Sequence, residues 1–81
     1  MELKYGVYIL LCSNGAYYSG YSANINNRLI AHDKGQVSFT RDKRPVKLVH
    51  LSLFARKQIA YDFERYLKTG SGCAFRNKRL L

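Results

Sequence analysis

GVYILLCSNGAYYSG, residues Gly6 to Gly20, decides how the rest of this 81-residue chain is read. Apolar and β-branched residues run from Val7 to Leu11, Ser13-Asn14-Gly15 breaks the run, and a second strand follows, which together spell a hairpin. Each strand carries a tyrosine beside a glycine, in Gly6-Val7-Tyr8 and Tyr18-Ser19-Gly20. A two-residue Asn14-Gly15 turn pairs Leu11 with Tyr18 and sends Tyr8 and Tyr18 to opposite faces of the sheet. A three-residue loop, Ser13 to Gly15, with Gly15 left-handed in a bulge, pairs Leu10 with Tyr18 and puts both phenols on one face. The hairpin residues alone permit either register.

Outward from the hairpin, the first strand, Tyr5 to about Cys12, is apolar on both faces. Tyr5, Val7, Ile9 and Leu11 alternate with Tyr8, Leu10 and Cys12, as in a central strand covered on both sides. In the second strand, about Ala16 to Tyr21, Gly20 leaves an open spot where another group can approach closely. Ser22 and Asn24 are N-cap candidates for a helix to about Asp33, with Ile25 and Leu29 as its core stripe. Arg28 and His32, four apart, fall beside that stripe, where a side chain touches the sheet yet reaches solvent. Lys34-Gly35 reads as the stop, and Gln36 to Arg44 as a polar, basic loop.

Pro45 cannot donate to a ladder, so it precedes a third strand, Val46 to about Leu53. From about Ala55 to Lys68 the period turns helical, with Ile59, Phe63, Tyr66 and Leu67 as the apolar arc. Arg56 and Lys57 in its first turn oppose the helix dipole. Thr69-Gly70-Ser71-Gly72 ends it, and a last short helix, Gly72 to Lys78, holds Phe75 to the core. The expected class is therefore α+β, a small three-stranded antiparallel sheet flanked by helices in the order β-β-α-β-α-α, as a single domain over residues 1–81.

Composition narrows the function. Hydrophobic residues make up 47% of the chain, enough for one small core. Cys12 and Cys73 form neither a disulfide framework nor a metal-ligand spacing, as expected of free thiols in a reducing compartment. No apolar run is long enough to cross a bilayer, and Met1-Glu2-Leu3-Lys4 lacks the design of a signal peptide, so a cytoplasmic protein with no membrane partner is expected. Fourteen Lys and Arg stand against five Asp and Glu, for a net charge of +9. Only three of the basic residues precede position 41. Such an excess attracts polyanions by counterion release, and nucleic acid is the commonest of them.

In so basic a chain Glu64 needs an explanation. It lies next to Ala60 on the helical wheel, at the border of the apolar arc; the alternative is an exposed residue paired with Lys68 at i,i+4. Phosphodiester hydrolysis needs a water that loses its proton, a cation over the phosphate oxygens and stabilisation of the leaving oxygen. Tyrosines, an arginine, a histidine and one carboxylate able to hold a hydrated Mg²⁺ are a sufficient kit.

Gly6-Val7-Tyr8 and Tyr18-Ser19-Gly20 resemble the paired motifs that name the GIY-YIG nuclease superfamily. Arg28 and His32 in the following helix and Glu64 in a later one resemble the rest of its site. Arg44-Pro45-Val46-Lys47-Leu48-Val49 and Leu67-Lys68-Thr69-Gly70-Ser71-Gly72 are similar to segments of its small stand-alone bacterial members. Val7 and Ser19 depart from the isoleucines of the name.

The resemblance implies both tyrosines on one face, which selects the three-residue loop. It also implies an endonuclease using Mg²⁺ or Mn²⁺ held by Glu64. Tyr8 would take the proton from the attacking water or orient it, and Arg28 would grip the scissile phosphate. Tyr18 would fix water or phosphate, and His32 would assist Tyr8 or contact the phosphate. A free phenol has a pKa of about 10, so Tyr8 needs nearby cations to favour its phenolate, and a rate rising with pH well above 7 is expected.

Lys34, Arg41, Lys43, Arg44, Lys68, Arg76, Lys78 and Arg79 are the expected phosphate-tracking residues, which position without specifying sequence. DNA chosen by shape is the expected substrate, with RNA open, acted on by a monomer or weak homodimer, and DNA repair or recombination is the expected setting. Tyr5, Tyr17, Tyr21, Tyr61 and Tyr66 are expected at the rim of the core rather than as base-stacking platforms, and His50 as a strand residue without a role. The competing readings are a nucleic-acid-binding module that keeps the fold without the chemistry, and a small interaction protein whose basic face docks an acidic partner.

Overall fold

The hairpin closes in the three-residue register. In the computed structural model, which describes residues 3–81, β1 (Tyr5–Leu11) and β2 (Tyr17–Ser22) pair antiparallel with Leu10 opposite Tyr18 and Tyr8 opposite Gly20. Met1 and Glu2, the start of the stretch read as lacking a leader, lie outside the described residues. Cys12 N–H donates to Ala16 O at 2.8 Å and Gly15 N–H to Cys12 O at 3.0 Å. Gly15 has φ +85°, the left-handed conformation such a bulged loop demands and that other L-residues resist.

α1 (Ile25–Asp33) follows, its cap Asn24 accepting from Asn27 N–H at 3.2 Å. β3 (Lys47–Phe54) returns along the other side of β1, giving the antiparallel order β2-β1-β3 with a bulge opposite Ile9 and Leu10. α3 (Lys57–Leu67), α4 (Gly70–Phe75) and a wide π-helical turn, Arg76–Leu80, complete the chain. Between α1 and β3 stands an element that the sequence reading left as loop, the one-turn helix α2 (Ser38–Arg41). Among the described residues no helix is long and apolar enough to cross a membrane.

The central strand is covered on both faces, as its sequence predicts, but by different materials. On one face Val7 and Ile9 pack with Ala60 and Leu67 of α3, rimmed by Tyr5, Tyr21, Val49, Phe54, Phe63 and Leu80. On the other, Tyr8 and Leu10 lie under α1 and α2, where buried His32 and Thr40 replace hydrocarbon.

Three packing expectations need correction. The buried arc of α3 is rotated from the one expected: Ala60, Glu64 and Leu67 face inward, while Ile59 is 50% exposed and Tyr66 is also exposed. The inward stripe is set by the small Ala60, which lets the helix approach the sheet, and not by the bulkier Ile59. In the C-terminal segment Leu80, not Phe75, reaches the core; Phe75 is exposed and contacts Phe63 and Tyr66. His32 does not reach solvent as expected but is 0% exposed, because α2 folds over it.

Candidate active site

Tyr8, Tyr18, Arg28 and His32 converge at the β2 edge of the sheet. The approach is made possible by Gly20, directly across from Tyr8: a Cβ there would overlap Cζ and Oη of the phenol. The open spot read at Gly20 is thus filled by Tyr8. Its ring is 6.3 Å from that of Tyr18, and His32 stands edge-on to both, at 5.5 Å from Tyr8 and 5.2 Å from Tyr18.

A chain of polar contacts runs through this cluster. Arg28 Nε–H donates to Tyr8 Oη at 3.3 Å; Tyr8 Oη lies 2.8 Å from His32 Nε2; and His32 Nδ1 lies 2.7 Å from Thr40 Oγ1. Thr40 is fully buried. With the ring proton assigned to Nδ1, Thr40 accepts it and Nε2 is free to accept from the Tyr8 hydroxyl. Among the described residues no buried side-chain nitrogen or oxygen lacks a partner. Satisfying each group in turn is what makes a buried polar chain tolerable in place of hydrocarbon.

Electrostatics set the protonation states. Burial lowers the pKa of His32, with the Arg28 charge adding to the effect, so the imidazole is neutral near pH 7. Burial also raises the pKa of Tyr8; the hydrogen bond from Arg28 works against this, while the charges of Tyr18 and Glu64 work with it. Arg28 thus favours the Tyr8 phenolate, the direction expected of a nearby cation, but burial is the larger effect. Desolvation outweighs one guanidinium at 3.3 Å. Arg28 itself is held more firmly protonated by the same hydrogen bond.

Glu64 comes to this region from α3, on the opposite side of the sheet, close enough for its charge to act on Tyr8. It is 6% exposed and pairs with Lys68 one turn on, so it sits at the buried border and makes the i,i+4 pair without the exposure that the alternative supposed. Among the described residues there is no group of three or more His, Cys, Asp or Glu that could hold a metal ion. A lone buried carboxylate suits a hydrated Mg²⁺ or Mn²⁺, which keeps several waters and takes one or two carboxylates plus substrate phosphate. It does not suit zinc.

The expected phosphate-tracking residues divide. Arg41 Nε donates to Gly35 O at 2.9 Å, Lys43 Nζ to Phe39 O at 2.8 Å, and Arg44 to Arg41 O at 3.0 Å and Asp33 O at 3.2 Å. These three brace the α1–α2 segment, each through part of its donor set. Lys68 holds Glu64, and the Arg76 guanidinium rests on the Tyr17 ring, 5.1 Å from its centroid. Lys34, Lys78 and Arg79 are exposed. His50 faces Ser52 Oγ at 2.6 Å and takes no part in the cluster.

Thr40 was missed by sequence reading, as was Phe39, whose ring is 5.0 Å from Tyr18. The available signal was faint: Phe39 and Thr40 are an apolar and a β-branched residue just ahead of the charged run Arg41 to Arg44, in a stretch too short to show a helical period.

Comparison with known proteins identifies the family of this chain. A family model described as the GIY-YIG catalytic domain matches residues 4–77. A UPF0213 protein of Staphylococcus saprophyticus is 39% identical over 69 residues, covering 84% of this chain and 84% of its own. One from Streptococcus pneumoniae is 39% identical over 69 residues, covering 84% and 70%. The solution NMR structure of a UPF0213 protein from Bacillus halodurans superposes with a TM-score of 0.59 at 28% identity, covering 91% of this chain and 82% of that one.

Proposed function

Because the chain belongs to the GIY-YIG catalytic domain family, a family of nucleases, we propose that it is a divalent-metal-dependent endonuclease that hydrolyses phosphodiester bonds in DNA. The observation that carries the proposal is the Arg28–Tyr8–His32–Thr40 chain, set within charge range of a buried carboxylate in a strongly basic protein.

In this reading Arg28 binds the scissile phosphate through the guanidinium nitrogens that Tyr8 does not use. Water attacks phosphorus; its proton passes to Tyr8 Oη as the tyrosine's own proton passes to His32 Nε2. The P–O bond to the leaving oxygen breaks, and that oxygen takes a proton from solvent. The relay removes the difficulty of a phenol as base, since Tyr8 never has to exist as a free phenolate. The neutral His32, 2.8 Å away, is the acceptor, and Thr40 stabilises the imidazolium that results. Tyr18 orients water or phosphate from the same face. Glu64 would hold the Mg²⁺ or Mn²⁺, with Lys68 yielding its place, and the ion would supply positive charge to offset that of the phosphate.

Lys and Arg residues braced by backbone carbonyls suit phosphate contacts, which favours selection of DNA by shape over sequence, as repair or recombination requires. Incubation of branched and plasmid DNA with Mg²⁺ or Mn²⁺ tests the proposal. Wild type is expected to cleave and Glu64→Ala to lose activity by about a hundredfold or more, with chelation abolishing both. Equal nicking by the two proteins would contradict it. The Lys68–Glu64 pair favours the second reading, a binding module whose carboxylate is permanently neutralised; strongly salt-dependent DNA binding without cleavage in either metal would select it.

A further inference from the structure

Along the outer edge of β2 a cleft of about 320 Å³ opens beside the candidate active site, lined by Tyr17, Tyr18, Phe39, Lys68 and Arg76 among others. Successive residues on a strand face opposite ways, so Tyr17 and Tyr18 present a ring on each side of this edge, and the cleft wraps around it. Tyr18 forms its inner wall, and the same ring lies 6.3 Å from Tyr8 and 5.2 Å from His32. Whatever occupies the cleft is therefore a neighbour of the reacting atoms.

The lining has the chemistry of nucleotide recognition. Phe39 is 50% exposed, with its ring tilted 32° from that of Tyr18 at 5.0 Å, a surface that costs hydration unless something flat covers it. Tyr17 is also exposed, and the Arg76 guanidinium lies over its ring, 5.1 Å from the centroid. Lys68 and Arg76 add two positive charges at the rim. The volume lies near the lower bound, about 300 Å³, for pockets that take small molecules. A base paired inside a duplex has no exposed face to offer such a cleft; an unpaired one does.

We propose that this cleft receives an unpaired nucleobase next to the scissile phosphate, stacked on Phe39 with the Tyr17 ring against its edge, and with Arg76 and Lys68 on the flanking phosphates. The preferred substrate is then a single-stranded or branch-point segment. The adjacency to a scissile phosphate rests on the nuclease reading; the base-binding itself does not.

Fluorescence anisotropy in EDTA, where no cleavage enters, separates the two. The probes are a labelled DNA single strand, the duplex of the same sequence, and the same strand made abasic. Tyr17→Ala and Phe39→Ala are expected to weaken single-strand binding by roughly tenfold each and to leave duplex binding within about twofold. Tyr17→Phe should retain wild-type affinity, because it keeps the ring. The abasic strand should bind wild type as poorly as the intact strand binds Tyr17→Ala. Circular dichroism melting confirms that the alanine variants are folded.

Equal losses on both probes, no loss on either, or equal affinity for abasic and intact strands would overturn the proposal. A base-dependent preference in a protein that cuts nothing would leave the cleft standing and remove the nuclease. Cleavage indifferent to unpaired bases would do the reverse.

Discussion

The two faces of β1 are equally buried and built on opposite principles. Val7 and Ile9 meet Ala60 and Leu67 in hydrocarbon, where the gain is dehydration and the contacts are non-directional. Tyr8, one residue away on the other face, meets His32, and His32 meets Thr40, in contacts whose value depends on which atom carries each proton. The difference teaches that burial alone does not identify a core. One strand serves as the floor of an apolar core and the wall of a chain of polar contacts, because alternate residues face opposite ways.

If the division is real, mutations on the two faces fail differently. Tyr8→Phe should lower cleavage by about a hundredfold or more while costing only about 1 kcal/mol of stability. Ile9→Ala should cost roughly 2–5 kcal/mol yet leave the activity per folded molecule unchanged. Chemical denaturation alongside single-turnover cleavage measures both. Tyr8→Phe with full activity would break the contrast and take Tyr8 out of the mechanism.

Thr40 sharpens it further. Thr40→Val keeps the shape and removes the acceptor for Nδ1–H, which favours the wrong imidazole tautomer. A drop of roughly tenfold is expected, equivalent to about 1.4 kcal/mol in the barrier, with an altered pH–rate profile and recovery in Thr40→Ser. A purely structural role would show a lower melting temperature with the pH profile unmoved.

Much of this was legible in the sequence for identifiable reasons. The hairpin residues permitted two registers, Gly15 suiting the left-handed loop of one, and the family resemblance, which puts Tyr8 and Tyr18 on one face, chose between them. Arg28 and His32 were placed on one helix face by their four-residue spacing. What escaped was set by tertiary contact. Four residues, Ser38 to Arg41, cannot show a period, so the helix that buries His32 looked like loop. The rotation of α3 depended on how closely Ala60 could approach the sheet. The balance on Tyr8 depended on how deep the phenol sits, a quantity that no spacing encodes.

Each face also carries a histidine, which allows a pH test: His32 over the relay, and His50 on β3 opposite Ile9. Burial lowers the pKa of both. The unfolded chain then binds more protons than the folded one below the ordinary histidine pKa of about 6.5. Stability is thus fully present above that value and lost as pH falls from it toward the depressed folded values. Replacing either histidine by Gln should flatten part of the acid limb in denaturant titrations, and only His32→Gln should also change the pH–rate profile. Tyr8 has the opposite sign. Its raised pKa leaves stability intact below about 10, to be lost as pH rises through the folded value.

The smallest effect is expected at the surface of the same site. Lys68→Ala should change stability by no more than about 0.5 kcal/mol, since its ammonium is largely exposed, while tightening Mn²⁺ binding measured by calorimetry. Unchanged metal affinity would show that the pair does not compete with the ion.

The central claim is that groups from both sides of the sheet meet in one site, and it is tested most directly by anomalous diffraction from crystals soaked in Mn²⁺. The account predicts a single peak beside the Glu64 carboxylate, within reach of a phosphate gripped by Arg28 and a water facing Tyr8. A peak elsewhere, or none at saturating Mn²⁺ with Glu64 still bound to Lys68, would contradict it.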